Sequence, residues 1–149
     1  MKFTTIDEVL DFAITKEEEA AALYASLAEK MSRPGMREAF LDFSKEEQKH
    51  KERLLEVKAQ GFPGVSEQQV DDLKVTDMVE EPEVDSNMTY AEILRFAMKA
   101  EKAAFKMYTG LAALAPPSLA GVFQMLALEE AKHKLRFEIE YEDHVLEGV

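Results

Sequence analysis

The sequence contains an internal repeat, and this repeat is the feature that most limits how the chain can fold. An offset of 84 residues pairs identical residues of the first and third helical segments: Thr5, Glu17 and Tyr24 with Thr89, Glu101 and Tyr108. An offset of 83 does the same for the second and fourth segments, pairing Glu47 and His50 with Glu130 and His133. The connection inside the second half is one residue shorter. We therefore predict two copies of one supersecondary unit.

Each copy is predicted to be an antiparallel pair of helices. Thr5 with Glu8, and Thr89 with Glu92, have the Thr-x-x-Glu spacing of a capping box, so the first helix of each half is expected to begin in the same way. A short connection follows each of these helices, as is typical of neighbouring antiparallel helices. Helical periodicity predicts four helices, over 6–30, 34–60, 90–115 and 118–146.

The predicted fold class is an all-α four-helix bundle built from two helical hairpins that are joined by a long crossover. The hairpins are expected over 5–60 and 89–147 of a single domain that covers 1–149. Between them, residues 61–88 contain proline, glycine and many acidic residues, which indicates a long crossover along the bundle. A short helical turn is expected near 67–73.

Composition excludes several classes of function. No cysteine is present, so disulfides, thiolate metal sites and iron–sulfur clusters are excluded within these residues. A formal charge of −12 argues against a nucleic-acid or anionic-membrane surface. The sequence has no signal-peptide pattern at its start and no long apolar stretch, so we expect a soluble, cytoplasmic protein that does not enter a membrane.

The repeat also places metal-ligand residue types at matching positions. Glu47 and His50, like their counterparts in the second half, are three residues apart and therefore reach the same side of a helix. Two hairpins packed about a pseudo-twofold axis would bring together four carboxylates and two imidazoles, which is the ligand set of a di-iron or di-manganese centre. The predicted metal ligands are Glu17, Glu47, His50, Glu101, Glu130 and His133.

One Glu-x-x-His pair alone is weak evidence, because such a pair commonly lies on an exposed helix face. Two copies at equivalent positions, each opposite a matching glutamate, are much more specific.

Tyr24 and Tyr108 follow their glutamates by seven residues and are expected beside the metal ligands, as hydrogen-bond donors or as core aromatics. His144 has no counterpart in the first half and is expected at a surface or a helix end.

This combination of paired Glu-x-x-His motifs, matching glutamates and two tyrosines resembles the ferritin-like superfamily, and specifically the rubrerythrin-type di-iron domain. The resemblance implies that the six ligands hold two iron ions, and that the reduced centre reacts with hydrogen peroxide or dioxygen. It also implies a homodimer. An electron donor protein outside this sequence would be required, because rubredoxin-type electron entry uses cysteines.

Two other functions fit the same residues. The centre could oxidise ferrous iron in an iron-handling, ferritin-like assembly, or the chain could be a non-catalytic metal-binding bundle. Carboxylate and imidazole ligands suit iron, manganese and zinc alike, so these residues leave the native metal open.

Overall fold

A computed structural model describes residues 3–32, 34–75 and 87–147 of the protein. Within these ranges the chain forms helices and no strand. The helices are α1 (Ile6–Lys30), α2 (Pro34–Gln60), α3 (Glu67–Asp72), α4 (Tyr90–Leu114) and α5 (Pro117–Glu147). The predicted helices are therefore confirmed, with ends that differ by a single residue.

The chain divides into two compact units. The first is Phe3–Val70, and the second contains the described residues from Asp71 onwards. The interpretation of 1–149 as one domain stays a prediction. The predicted crossover is described in part, because its residues 76–86 lie outside the described residues.

In the first unit, α1 and α2 form an antiparallel hairpin. The Ser44 hydroxyl of α2 donates a hydrogen bond to the Ala21 carbonyl oxygen of α1 at 2.7 Å. Nearer the start of α1, Asp11 pairs with Lys58, which lies near the end of α2. Since positions that increase along α1 meet positions that decrease along α2, the two helices run in opposite directions.

In the second unit, α4 and α5 repeat this arrangement. The Tyr90 hydroxyl at the start of α4 donates to Glu140 Oε2 near the end of α5 at 2.8 Å. Farther along α4, the Tyr108 ring stacks on Phe123 near the start of α5, with 6.4 Å between the ring centroids. The predicted repeat of one helical hairpin is thus present in the folded units.

Both hairpins begin with the predicted capping box. The Thr5 and Thr89 hydroxyls each accept a hydrogen bond from the backbone N–H three residues later. In return, the carboxylates of Glu8 and Glu92 accept from the threonine backbone N–H groups. These bonds satisfy donors that the first helical turn leaves without an intrahelical partner.

The first hairpin ends at a glycine. Gly61 follows the last residue of α2, has a φ of 92° and donates its N–H to the Val57 carbonyl oxygen at 3.0 Å. A left-handed residue after a helix is the usual C-terminal stop, and glycine adopts this conformation without steric cost. After it, α3 confirms the short helical turn expected near 67–73.

The second unit begins within α3, at Asp71. Leu73 lies against α4 at Gly110, where an added Cβ would come within 2.7 Å of the leucine Cδ2 atom. Val75 is buried as well. No helix in the described ranges is both long enough and apolar enough to cross a bilayer.

Candidate metal centre

The first hairpin brings one glutamate of α1 together with the Glu-x-x-His pair of α2. His50 Nδ1 lies 3.5 Å from Glu17 Oε2 and 3.7 Å from Glu47 Oε1. One ligand atom from each of the three residues lies within 4.8 Å of the others. These three residues form what we call the first triad.

The second hairpin builds the same group from α4 and α5. His133 Nδ1 lies 3.7 Å from Glu101 Oε1 and 3.8 Å from Glu130 Oε1. The ligand atoms of these three residues are also within 4.8 Å of one another. This is the second triad, and its distances match those of the first to within a few tenths of an ångström.

The local sequence explains why these polar side chains point inward. Glu17 lies on a face of α1 where it is preceded by Ala13 and followed by Ala21 at helical spacing, and all three are buried. In α2, Glu47 and His50 are separated by about 300° of helical turn, so both reach the side that faces α1. All six triad residues are at most 3% exposed.

The four distances between imidazole nitrogen and carboxylate oxygen fit two ligands of one shared cation better than a hydrogen bond between an imidazole and a carboxylate. An N–H···O hydrogen bond spans about 2.7 to 3.2 Å, and the four imidazole–carboxylate separations are longer than this. Two ligand atoms that each lie about 2.0 to 2.2 Å from one metal ion are roughly 3 to 4 Å apart. Carboxylate oxygen and imidazole nitrogen are ordinary ligands of iron, manganese and zinc. The triads therefore fit such an ion chemically and in size.

The two tyrosines predicted beside the ligands are both buried. Tyr24 is 1% exposed, and its ring contacts Phe40 and Phe43 with centroid distances of 6.4 and 6.3 Å. Tyr108 is fully buried on Phe123. Core packing of both rings is therefore established, and a hydrogen bond from either hydroxyl to a ligand carboxylate stays a prediction.

His144 is separate from both triads. It lies in the last turn of α5. Its ring is perpendicular to the Tyr90 ring, with 5.0 Å between the two ring centroids. The expectation of a helix-end histidine is confirmed. The glutamates that precede the ligand pairs, Glu46 and Glu129, are half-buried.

Sequence reasoning missed one further buried carboxylate, Glu140, which is 2% exposed and accepts the Tyr90 hydrogen bond. The signal was available: it follows His133 by seven residues, which is two helical turns on the same face. The first hairpin has Val57 and Ile6 at the equivalent positions, and both are buried. The second hairpin thus replaces an apolar pair by a hydrogen-bonded polar pair.

Fold and site together define an all-α protein with two copies of a buried Glu, Glu-x-x-His triad. A comparison with protein families is in agreement, since the profile described as Rubrerythrin matches residues 8–90 and 92–147. The chain belongs to the rubrerythrin family, and its predicted ferritin-like fold class is thereby confirmed. Comparisons with curated proteins and with solved structures found no match.

Proposed function

We propose that this chain is a rubrerythrin-type di-iron oxidoreductase, which reduces hydrogen peroxide or dioxygen with electrons from a separate donor protein. In this proposal the two triads together hold two iron ions. The observation that carries it is the repeated triad, in which a buried histidine nitrogen lies 3.5 to 3.8 Å from two buried carboxylates in each hairpin. Membership of a family that typically binds iron supports this choice of metal.

The charge of the triads supports metal binding independently of the family. Four buried glutamates would repel one another if they were all ionised, and burial removes the water that stabilises their charges. Two divalent cations would offset four negative charges. The metal would therefore stabilise the fold as well as take part in the reaction.

The proposed roles follow from the chemistry of each residue. Bound iron would supply the electrons that reduce peroxide or dioxygen. Glu17, Glu101 and the two Glu-x-x-His pairs would hold the ions, and their burial would limit the access of bulk water. The Tyr24 and Tyr108 hydroxyls would donate hydrogen bonds to ligand carboxylates and fix their orientation.

The electron donor has to be sought outside these 149 residues. A rubredoxin-type iron site needs cysteine ligands, and the sequence contains none. Peroxide reduction by the purified chain should therefore depend on an added reductant or donor protein. A cytoplasmic location is part of this proposal and rests on the sequence signals alone.

Metal analysis of protein purified without oxygen tests the metal assignment. We expect two irons per chain, and an optical spectrum that changes when peroxide is added to the reduced protein. His50→Ala and His133→Ala should each lower the bound iron, whereas His144→Ala is the matched control because His144 lies outside both triads. Iron content that is unchanged in the two triad variants would refute the assignment of these ligands.

Steady-state measurements separate the activities. Iron-dependent peroxide consumption with a reductant supports the proposal, and it should be lost with the iron in His50→Ala. Tightly bound zinc without turnover would instead identify a non-catalytic metal-binding protein. Rapid oxidation of added ferrous iron by a hollow assembly of many chains would identify an iron-handling protein.

A further inference from the structure

The side of α5 that faces away from the core of its hairpin carries large apolar residues. Leu128 and Leu135 are 60% and 57% exposed, and Ile139 and Met125 are 45% and 37% exposed. Together with Lys132 and Glu142 they follow one another at alternating steps of three and four residues. This alternation is typical of a seam between two packed helices. We call these six residues the α5 stripe.

The repeat provides an internal comparison for this stripe. The equivalent positions lie on α2, which packs against α1 in the same way as α5 packs against α4. If this side of each hairpin faced solvent, the positions would be exposed in both hairpins. All four positions that correspond to the apolar residues are exposed and charged there: Asp42, Lys45, Glu52 and Glu56. The chain therefore has the expected solvent face on one hairpin and an apolar face at the same place on the other.

The charged residues of the stripe indicate what covers it. Lys132 and Glu142 are both exposed, and neither forms an ion pair within the part of the chain that the structure describes. They are ten residues apart, which is about 15 Å along the helix, so they cannot meet within one chain. The midpoint between them is the level of Phe137, and the midpoint between Leu135 and Ile139 is the same level.

Because opposite charges flank two apolar residues, the segment from Lys132 to Glu142 is complementary to an antiparallel copy of itself. If a second α5 crosses antiparallel at the level of Phe137, Lys132 meets the Glu142 of the second copy, and Leu135 meets its Ile139. The twofold operation repeats both contacts. One patch on each chain therefore forms a closed isologous interface, as most symmetric dimers do.

We propose that the α5 stripe is the interface of a twofold dimer in which two α5 helices cross antiparallel at Phe137. The sequence resemblance implies a homodimer, and this proposal adds the surface, the orientation and the residue pairs. It does not depend on the bound metal. The opposite charges of Lys132 and Glu142, one at each end of this segment, favour an antiparallel second copy over another partner.

Sedimentation equilibrium of the full-length chain tests the surface. We expect a dimer, and Leu135→Asp should raise its dissociation constant by roughly a hundredfold or more, because each dimer buries two copies of the residue. Leu55→Asp is the matched control, since Leu55 is an exposed leucine of α2 that lies outside the stripe. A monomer at all concentrations, a larger assembly, or a dimer indifferent to Leu135→Asp would overturn the proposal.

Charge reversal tests the orientation without disturbing the core. Lys132→Glu and Glu142→Lys should each weaken the dimer by placing like charges opposite each other, and the double variant should restore it. No rescue could arise within one chain, because the two positions are too far apart. Two weakened single variants without rescue would rule out the antiparallel pairing.

Cross-linking provides a second measurement of the same geometry in this cysteine-free chain. The variant with both Lys132→Cys and Glu142→Cys should form a covalent dimer under mild oxidation, and each single variant should not. A disulfide requires Cα atoms that are less than about 7 Å apart, which the two positions of one helix never reach. Cross-linking of Lys132→Cys alone would contradict the proposed orientation.

Discussion

At the scale of single residues, the Tyr90–Glu140 pair shows how one hairpin accommodates a polar group that the other lacks. Burial of a carboxylate costs free energy unless hydrogen bonds or opposite charges replace its lost hydration. The Tyr90 hydroxyl supplies one such bond at 2.8 Å. In the first hairpin, Ile6 and Val57 fill the same positions without any polar atom.

Removal of the hydroxyl alone should therefore destabilise the protein. We expect Tyr90→Phe to lower the free energy of unfolding by about 1 to 3 kcal/mol, because the buried Glu140 carboxylate loses a donor. The double variant Tyr90→Ile with Glu140→Val copies the first hairpin and should recover most of this loss. Urea unfolding of the wild type and these variants measures both effects, and a double variant less stable than Tyr90→Phe would contradict the argument.

At the scale of secondary-structure elements, both hairpins depend on the capping boxes that begin α1 and α4. Each threonine hydroxyl accepts a hydrogen bond from a backbone N–H of the first turn, which has no carbonyl partner within the helix. Thr5→Ala and Thr89→Ala should each lower the free energy of unfolding by about 1 kcal/mol. Thr15→Ala is the control, because the Thr15 hydroxyl only donates to the Asp11 carbonyl oxygen inside α1. Equal losses in all three variants would show that capping is not the cause.

The glutamates of the same boxes should make stability depend on pH. Hydrogen bonds from the backbone and hydroxyl of Thr4, and then from Thr5, lower the pKa of Glu8. For Glu92, the backbone N–H and then the hydroxyl of Thr89 lower the pKa. Because the folded-state pKa is the lower one, the unfolded state binds more protons as acid is added. The stabilisation is therefore complete above the unfolded-state pKa and is lost as the pH falls through the folded-state pKa.

A variant that keeps the cap but cannot titrate tests this dependence. Glu8→Gln with Glu92→Gln retains a side-chain oxygen for the threonine N–H groups, since glutamine also forms capping boxes. We expect its unfolding free energy to fall less steeply than that of the wild type as the pH drops below the ordinary glutamate value of 4.5. Glu38→Gln, an exposed glutamate of α2, should keep the wild-type dependence. Superimposable pH profiles of all three proteins would contradict the assigned cause.

The elements were predictable because their signals are local. Helical spacing and the capping boxes predicted the helix ends to within a residue, and the repeat indicated which glutamates point inward. The spacing of Glu140 from His133 indicates the inward face of the helix, but the hydrogen-bond donor that accompanies its burial, Tyr90, is fifty residues away and no local pattern predicts that contact. The α5 stripe was missed for a related reason: apolar residues around the whole circumference of a helix hide which side remains exposed after folding.

At the scale of the whole molecule, the proposed ions would stabilise the folded protein. Metal that binds only the folded protein stabilises it by mass action, and at a free concentration one hundred times the dissociation constant this amounts to about 2.7 kcal/mol for one site. Removal of metal by a chelator should therefore lower Tm, and ferrous iron added without oxygen should restore it. The variant His50→Ala with His133→Ala should melt near the temperature of the metal-free wild type and respond weakly to iron. An equal response of wild type and variant would place the stabilising metal outside the triads, whereas a wild type indifferent to both chelator and iron would mean that the buried glutamates are tolerated without any cation.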